Sequence, residues 1–398
     1  MSKSIPDVRF EKFGGDWEKR KLGDVAEFNP KSIIPEVFEY IDLGSVLGTI
    51  LTSHRTEYKN TAPSRAQRLA KQGDVFYQTV RPYQKNNYLY NLPYDNYVFS
   101  TGYTQMRPYV DSYFLLSILQ ENDFVLNVLE RSTGTSYPAI NSNDLSKMYI
   151  KVPISKNEQQ KIGALFKQLD DTIALQQQLV KQQQQYKKAM LQKMFPQKGE
   201  SVPKVRFDGF SEDWTELKMG EVFEQTNEYI NPQESNLELF SLTVEKGLTQ
   251  KTARYNREFL VKKTDKFKKV GPNEFVYNPM NMTLGAVGFN DSKFSVAVSG
   301  YYVTMKIKMK CNNEYFRRVL TSPQAIRLYK LYATGSLIEK QRVQFPTFSE
   351  IRIKVPVLEE QQKIGAFFKQ LDDTMALHQK KLEDYQQLKK ALLQRMFV

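Results

Sequence analysis

Residues 158–175 read EQQKIGALFKQLDDTIAL, and residues 360–377 read EQQKIGAFFKQLDDTMAL. Sixteen of the eighteen positions are identical; Leu165/Phe367 and Ile173/Met375 differ. Each copy runs on for about twenty more residues without Pro or Gly, ending in KKAMLQKMF (187–195) and KKALLQRMF (389–397). A long internal repeat of this kind sets the architecture, and the rest of the chain is placed around it.

The periodicity predicts two long helices. In the second copy Ile364, Phe368, Leu371, Met375, His378, Leu382, Tyr385, Leu392 and Met396 step by four and three, a heptad seam broken only at Lys389. In the first copy the seam is Ile162, Phe166, Leu169, Ile173, Gln176, Val180, Gln183, Lys187, Met190 and Met194, weaker in its Gln-rich middle. Pro153 precedes this copy, Ser155 with Glu158 reads as a capping box, and Pro196 and Gly199 end it. About 38 residues of helix span about 57 Å at 1.5 Å per residue. A rod with one apolar seam is unstable alone and needs a partner helix. The chain carries a near-duplicate, so self-pairing is expected through Ile162, Phe166, Leu169 and Ile173 on one rod and Ile364, Phe368, Leu371 and Met375 on the other.

The repeat extends upstream of both helices. Residues 6–25 read PDVRFEKFGGDWEKRKLGDV, and residues 203–222 read PKVRFDGFSEDWTELKMGEV, with the only two tryptophans, Trp17 and Trp214, in matching places. The chain is therefore two tandem units, each a lead-in segment, a globular stretch and a helix. The boundaries read from the sequence are 1–153 and 201–356 for the globular domains, and 154–200 and 357–398 for the helices. Within the globular stretches 74–80, 97–106, 148–152, 274–277, 295–307 and 351–355 read as short β-branched or aromatic strands, and 113–129 and 313–331 as helices. That mixture predicts an α+β class with a largely antiparallel sheet. The globular stretches are unlike inside; only Ser100/Ser299, Gly102/Gly300, Thr133-Gly134/Thr334-Gly335 and the IKVP runs ending at Pro153 and Pro356 correspond. One duplicated scaffold with two different inserts suggests two different targets.

Composition narrows the partners. The 398 residues carry a net charge of +13, with one cysteine, Cys311, and two histidines, His54 and His378. Such basicity points to a polyanion, nucleic acid first, with an acidic protein as the plainer explanation. One cysteine excludes a disulfide framework and a Cys-rich metal site. The sequence shows neither a signal peptide nor a long apolar run, so a cytoplasmic location without membrane association is expected.

Basic, aromatic and amide residues cluster after one strand of each globular stretch. Arg81, Tyr83, Gln84, Lys85, Asn86, Asn87 and Tyr88 do so in the first; Asn278, Met280, Asn281 and Thr283 in the second. Asn and Gln pair with adenine edges, and Arg with guanine, in the major groove. An ordinary polar loop is the bland reading for any one of them. Residues 251–269, with Lys251, Arg254, Arg257, Lys262, Lys263, Lys266, Lys268 and Lys269 against Glu258 and Asp265, have the density of a phosphate-contacting segment or of a solvated face. The small-residue loops TGTSYP (133–138, with Thr135, Ser136 and Tyr137) and TGSLIEK (334–340, with Ser336 and Lys340) allow close approach of backbone to a ligand, or are plain turns. Thr101, Tyr103, Tyr301 and Arg342 complete the candidate DNA-contacting set.

No catalytic signature emerges. The chain lacks a GxxxxGK[ST] loop and a dinucleotide-binding glycine fingerprint. Its Asn-Pro pairs lack the second Pro and the aromatic of an amino-methyltransferase motif. Glu216 and Lys218 after Asp208 or Asp213 weakly suggest a nuclease site, but the other copy, Glu18-Lys19-Arg20, lacks the pattern.

Taken together, the chain resembles the specificity subunit of type I restriction–modification systems. The carriers are the doubled lead-in with Asp16-Trp17/Asp213-Trp214 and Leu22-Gly23/Met219-Gly220, the doubled IKVP strands and the doubled EQQKI helices. The resemblance implies two target recognition domains, each reading half of a split double-stranded DNA site, held apart by two antiparallel coiled-coil helices in a pseudo-twofold tandem repeat. It implies a non-catalytic subunit without a cofactor of its own. Two methyltransferase subunits using S-adenosylmethionine on adenine, and restriction subunits using ATP and Mg, would be its partners. A stand-alone nuclease or methyltransferase, and a coiled-coil protein adaptor, are the competing readings.

Overall fold

A computed structural model describes residues 5–250, 266–335 and 341–397. The two repeated segments are helices over Lys156–Lys193 and Leu358–Arg395, 38 residues each. By internal contacts the chain divides into unit 1, residues 1–178 with 380–398, and unit 2, residues 179–379. Each unit thus takes part of both long helices, together with one globular stretch.

In unit 1 the start of the first helix runs antiparallel to the end of the second. Phe166 stacks on Phe397 with ring centroids 5.6 Å apart, and a turn further on Asp170 receives a hydrogen bond from Lys389. Ile162, Phe166, Leu169, Met396 and Phe397 are buried in one core with Trp17, Leu22 and Phe114. Unit 2 repeats the arrangement with the helices exchanged. There Phe195 stacks on Phe368 at 6.2 Å, Lys187 pairs with Asp372, and both aromatics share a core with Trp214, Met219 and Tyr315. Ile173, Leu371 and Met375 are half-buried. The α+β class and antiparallel helix packing within each unit match the expected fold.

The doubled motif is a socket between helix and globular stretch. Both oxygens of Glu158 accept from Arg9 (2.7 and 2.9 Å), and those of Glu360 accept from Arg206 (2.8 and 2.9 Å). This corrects the capping box: the Glu158 backbone N–H does reach Ser155 Oγ at 3.4 Å, but its carboxylate serves Arg9. Gln159 donates to Pro153 O and accepts from the Asp111 backbone N–H, while Gln361 does the same with Pro356 O and Asn312. A Cβ on Gly163 would lie 2.1 Å from Asp111 Oδ1, and one on Gly365 would lie 2.5 Å from Asn312 Oδ1. Those two side chains cap the helices Ser112–Ile118 and Asn313–Thr321, so only glycine lets the cap approach the rod this closely.

The globular part of unit 1 has two four-stranded sheets. One runs Arg55–Tyr58, Val37–Ile41, Tyr97–Ser100, Ala66–Leu69; the other Ala26–Phe28, Tyr103–Pro108, Val75–Gln78, Tyr88–Leu89. Pairing is antiparallel except between Val37–Ile41 and Tyr97–Ser100. Unit 2 has the sheet Phe223–Thr226, Val303–Ile307, Phe275–Tyr277, Val287–Phe289 and a three-stranded sheet Tyr229–Ile230, Phe267–Val270, Val296–Ser299. In both units the strand after the lead-in pairs with the IKV strand before the helix, Glu18–Lys21 with Tyr149–Val152 and Thr215–Lys218 with Arg352–Val355.

Several expected elements are broken in two. The strand expected over 97–106 divides at Thr101-Gly102 into strands of different sheets, and 295–307 divides at Gly300 to Tyr302. At Gly300 the Lys266 carbonyl lies 2.3 Å from where a Cβ would stand, so the chain crosses between sheets in close contact with backbone. The helix expected over 113–129 is Ser112–Ile118 and Asn122–Glu130, each with its own side-chain cap. That over 313–331 is Asn313–Thr321 and Pro323–Tyr332, separated where Ser322 caps and Pro323 begins the second. Among the described residues no helix is long and apolar enough to cross a membrane.

Candidate nucleic-acid interface

In unit 1 two sequence-distant candidate loops are stitched together. The loop after strand Val75–Gln78 meets the TGTSYP loop through the bridge Val80–Ala139 and through the Arg81 backbone N–H, which donates to Pro138 O at 2.8 Å. The second loop is closed on itself by Thr133 and Ala139, which exchange both backbone bonds at 2.9 Å. The Arg81 guanidinium lies over the Tyr137 ring, 4.4 Å from its centroid. Tyr83 is exposed, as are Gln84, Thr135, Ser136 and Tyr137.

An amide layer supports this surface from below. Gln78 Nε2 donates to Val80 O (2.6 Å) and to Gln84 Oε1 (2.9 Å), and the Gln78 backbone N–H donates to Asn87 Oδ1 (2.9 Å). Asn86 is buried, its Oδ1 accepting from the Gly48 N–H at 2.8 Å. Lys85 turns inward: its ammonium donates to Gln120 O (2.7 Å) and Asn122 Oδ1 (2.6 Å), and burial pulls its pKa down. Asn86 and Lys85 therefore shape the loop rather than project from it. Arg81 (φ 55°) and Lys85 (φ 56°) both occupy the left-handed region. For a non-glycine residue that conformation costs about 1–2 kcal/mol and persists only where surrounding bonds impose it.

Tyr103 is a correction to the candidate set. It is 0% exposed and edge-on to Phe99 and Phe76, so it has no surface to offer a ligand. Its strand is buried on both faces, which makes it a core aromatic. Thr101, half-buried, donates its backbone N–H to Arg65 O.

Unit 2 builds a comparable surface from different residues. The loop after strand Phe275–Tyr277 meets the loop before the last strand where the Val343 N–H donates to Pro279 O (3.1 Å) and Thr334 and Arg342 exchange backbone bonds. Asn278 Oδ1 accepts from the Met280 N–H (3.0 Å), which turns the chain and leaves Met280 and Asn281 exposed. Arg342, exposed, lies over the Tyr301 ring at 5.8 Å. Beside it Lys266 and Lys268, both in the basic run expected to contact phosphates, lie over exposed Tyr229 at 5.8 and 5.3 Å; Tyr229 is the residue that sequence reading missed. Lys268 is itself buried, donating to Tyr302 O, with its pKa lowered by desolvation. Alternation along 266–269 places Lys266 and Lys268 on one strand face. Arg254, Lys262, Lys263, Ser336 and Lys340 lie outside the described residues.

Glu216, Lys218 and Asp213 of the weak nuclease pattern are engaged on the surface of unit 2. Glu216 pairs with Arg352 (3.0 Å), Lys218 with Glu350 (2.7 Å), and Asp213 accepts from Ser201. Among the described residues, no group of three or more His, Cys, Asp or Glu side chains could hold a metal ion.

A cationic fork lying on an exposed aromatic, beside solvent-facing amides, is suited to base edges and phosphates. Comparison with known proteins gives this surface its context. The family model of the type I restriction modification DNA specificity domain matches residues 14–183 and again residues 211–386. The chain belongs to that family and carries its domain twice. It is 27% identical over 192 residues to the type I restriction enzyme HindI specificity subunit of Haemophilus influenzae, a match covering 45% of this chain and 41% of that protein. It is 23% identical over 310 residues to a putative type I restriction enzyme MjaX specificity subunit of Methanocaldococcus jannaschii, covering 73% of this chain and 67% of that one. The alignment thus spans under half the length of the HindI subunit. The fold is similar to that of a type I restriction-modification S subunit from M. genitalium, with a TM-score of 0.66, 14% identity and 99% of each chain covered. It is also similar to a chain from a structure describing complex assembly and conformational transition of the type I R-M system, with a TM-score of 0.54, 21% identity and 95% of this chain and 96% of that one covered.

Proposed function

We propose that this chain is the sequence-reading subunit of a type I restriction–modification complex, with each unit reading one half of a bipartite, asymmetric double-stranded DNA site. The observation that carries this is the pairing of unlike with like. Each unit has the same Arg–Glu socket, and each has a stitched pair of surface loops with a guanidinium on an exposed tyrosine. The residues forming those loops differ between the units. Equal scaffolds with unequal reading surfaces suit a target whose halves differ in sequence.

In this reading the net charge of +13 serves phosphate contact, which gives affinity and register, while the loops give sequence preference. The long helices set the spacer between half-sites and, with the lead-in segments, provide the docking surface for two methyltransferase subunits. The chain performs no chemistry and binds no cofactor. S-adenosylmethionine, for adenine-N6 methylation, and ATP with Mg, for DNA cleavage, belong to the methyltransferase and restriction partners.

The test is to express the chain with its modification partners and map methylated adenines across the host genome. A split motif of two unlike halves is expected. Methylation without a split motif, or duplex binding whose logarithm does not fall with the logarithm of salt, is incompatible with the proposal.

A further inference from the structure

The backbone at Arg81 is in a conformation that Gly or Asn adopts more readily, yet the position holds an arginine. Lys85, equally left-handed, has a local reason: its ammonium is bound to Gln120 O and Asn122 Oδ1. Arg81 has no comparable anchor. Among the described residues its guanidinium takes part in no hydrogen bond or ion pair and rests on Tyr137, a ring 62% exposed. The side chain therefore does nothing evident for the fold that offsets its backbone strain. Strain held in place by the Arg81–Pro138 bond, at the joint of two surface loops, presents one planar cationic fork to solvent.

The arrangement recurs in unit 2 with its parts exchanged. In unit 1 the arginine comes from the loop after the strand and the tyrosine from the loop before the last strand. In unit 2 Arg342 comes from the later loop, and Tyr301, 43% exposed, from the turn between two sheets. The lead-in and helix repeats align by sequence, whereas these pairs come from non-corresponding positions, so duplication of a common ancestor does not account for them.

Resting on the DNA-reading function proposed above, we infer that Arg81 is the specificity-determining residue of unit 1, reading a guanine in its half-site through O6 and N7, and that Tyr137 is its positioning residue. Guanine is the base whose major-groove edge offers two acceptors to an arginine fork. A tyrosine face fixes the plane of that fork and leaves its donors free.

The experiment maps methylation by the assembled complex carrying wild-type chain, Arg81→Gly, Arg81→Lys, Tyr137→Phe and Tyr137→Ala, with binding to cognate duplex and to a duplex altered at one guanine. Arg81→Gly suits the left-handed backbone and is expected to keep its thermal stability. It should relax one guanine in one half-site, leave the other half-site unchanged, and weaken cognate binding about ten- to a hundredfold. Arg81→Lys, which keeps the charge without the fork, should relax the same position. Tyr137→Phe should behave as wild type, and Tyr137→Ala should relax the position that Arg81→Gly relaxes. An unchanged motif in Arg81→Gly, or weakening that is equal on all sequences and lowers the salt slope by about one, overturns the inference in favour of a phosphate contact or no contact. If instead the wild-type complex yields no bipartite motif, it is the underlying DNA-reading function that fails.

Discussion

Lys389 of the second long helix bonds to the carboxylate of Asp170 on the first, in unit 1, and Lys187 of the first bonds to Asp372 of the second, in unit 2. The two pairs occupy equivalent places in the repeat. Asp170 also accepts from the Tyr113 hydroxyl (3.0 Å), whereas Asp372 accepts from Arg318 (2.7 Å). The lysines stand at seam positions, where the heptad pattern calls for an apolar residue, and each is answered by an acid on the facing helix. Such polar seam pairs fix register more than they add stability. A double-mutant cycle should therefore show coupling. Lys389→Ala and Asp170→Ala should each destabilise unit 1 by about 2 kcal/mol, and the double variant by clearly less than the sum. Hydrogen exchange on the full chain gives the local free energies, and strict additivity would contradict the pairing.

The Arg9–Glu158 bond makes a stronger prediction. Glu158 is 1% exposed and Arg9 13%, so removing the arginine leaves a buried carboxylate with its principal cation gone. Arg9→Ala should cost about 3–5 kcal/mol, while the double replacement Arg9→Met with Glu158→Leu should cost much less. Arg206→Ala should do the same in unit 2 through Glu360. A thermal shift within about 1–2 °C in either single variant would show that the socket is not what seats the helix.

How much of this was readable beforehand depended on how local the determining contact is. The helices, their length and their need for a partner follow from an eighteen-residue repeat with a heptad seam, while the antiparallel sense of pairing came from the family resemblance. Glu158 was misread because Ser155 is three residues away and Arg9 is 149 away; only the doubled VRF (residues 8–10 and 205–207) hinted that a distant arginine travels with each helix. Lys389 read as a gap in the seam because its partner belongs to the other repeat. The single strands expected over 97–106 and 295–307 were too long because backbone contacts at Gly102 and Gly300, made by distant residues, redirect the chain. Tyr103 read as a surface aromatic because burial on both strand faces erases the alternation that separates inside from outside. Arg81 and Tyr137 were both legible as candidates, but their stacking was not, since it depends on the bridge from Val80 to Ala139.

Modularity gives a third prediction. The loops proposed to read DNA in unit 1 lie between the strands Glu18–Lys21 and Tyr149–Val152, which pair and close the globular stretch. Replacing residues 20–150 with the corresponding stretch of another family member should preserve the Arg9–Glu158 socket and the helices. Methylome mapping should then show one half-site changed and the other retained. Alteration of both half-sites would refute independent reading by the two units.

The last prediction concerns the helices. An α-helix lengthens by 1.5 Å per residue, so four inserted residues add about 6 Å and slightly more than one turn, which returns the seam close to its original face. Insertion after Gln178 falls in the Gln-rich middle of the first rod, where the apolar seam is weakest and disruption of packing is least. Matching insertion after Lys380, its equivalent in the second rod, keeps the facing Lys–Asp pairs in step. With the reading loops untouched, both half-sites should still be recognised while the unspecified spacer between them lengthens by about two base pairs, taking 3.4 Å per pair along the duplex. A three-residue insertion turns the seam by about 300° and should instead weaken or abolish methylation. An unchanged spacer in the four-residue variant would mean that the rods do not set the separation, and an equally active three-residue variant would mean that seam pairing does not hold them in register.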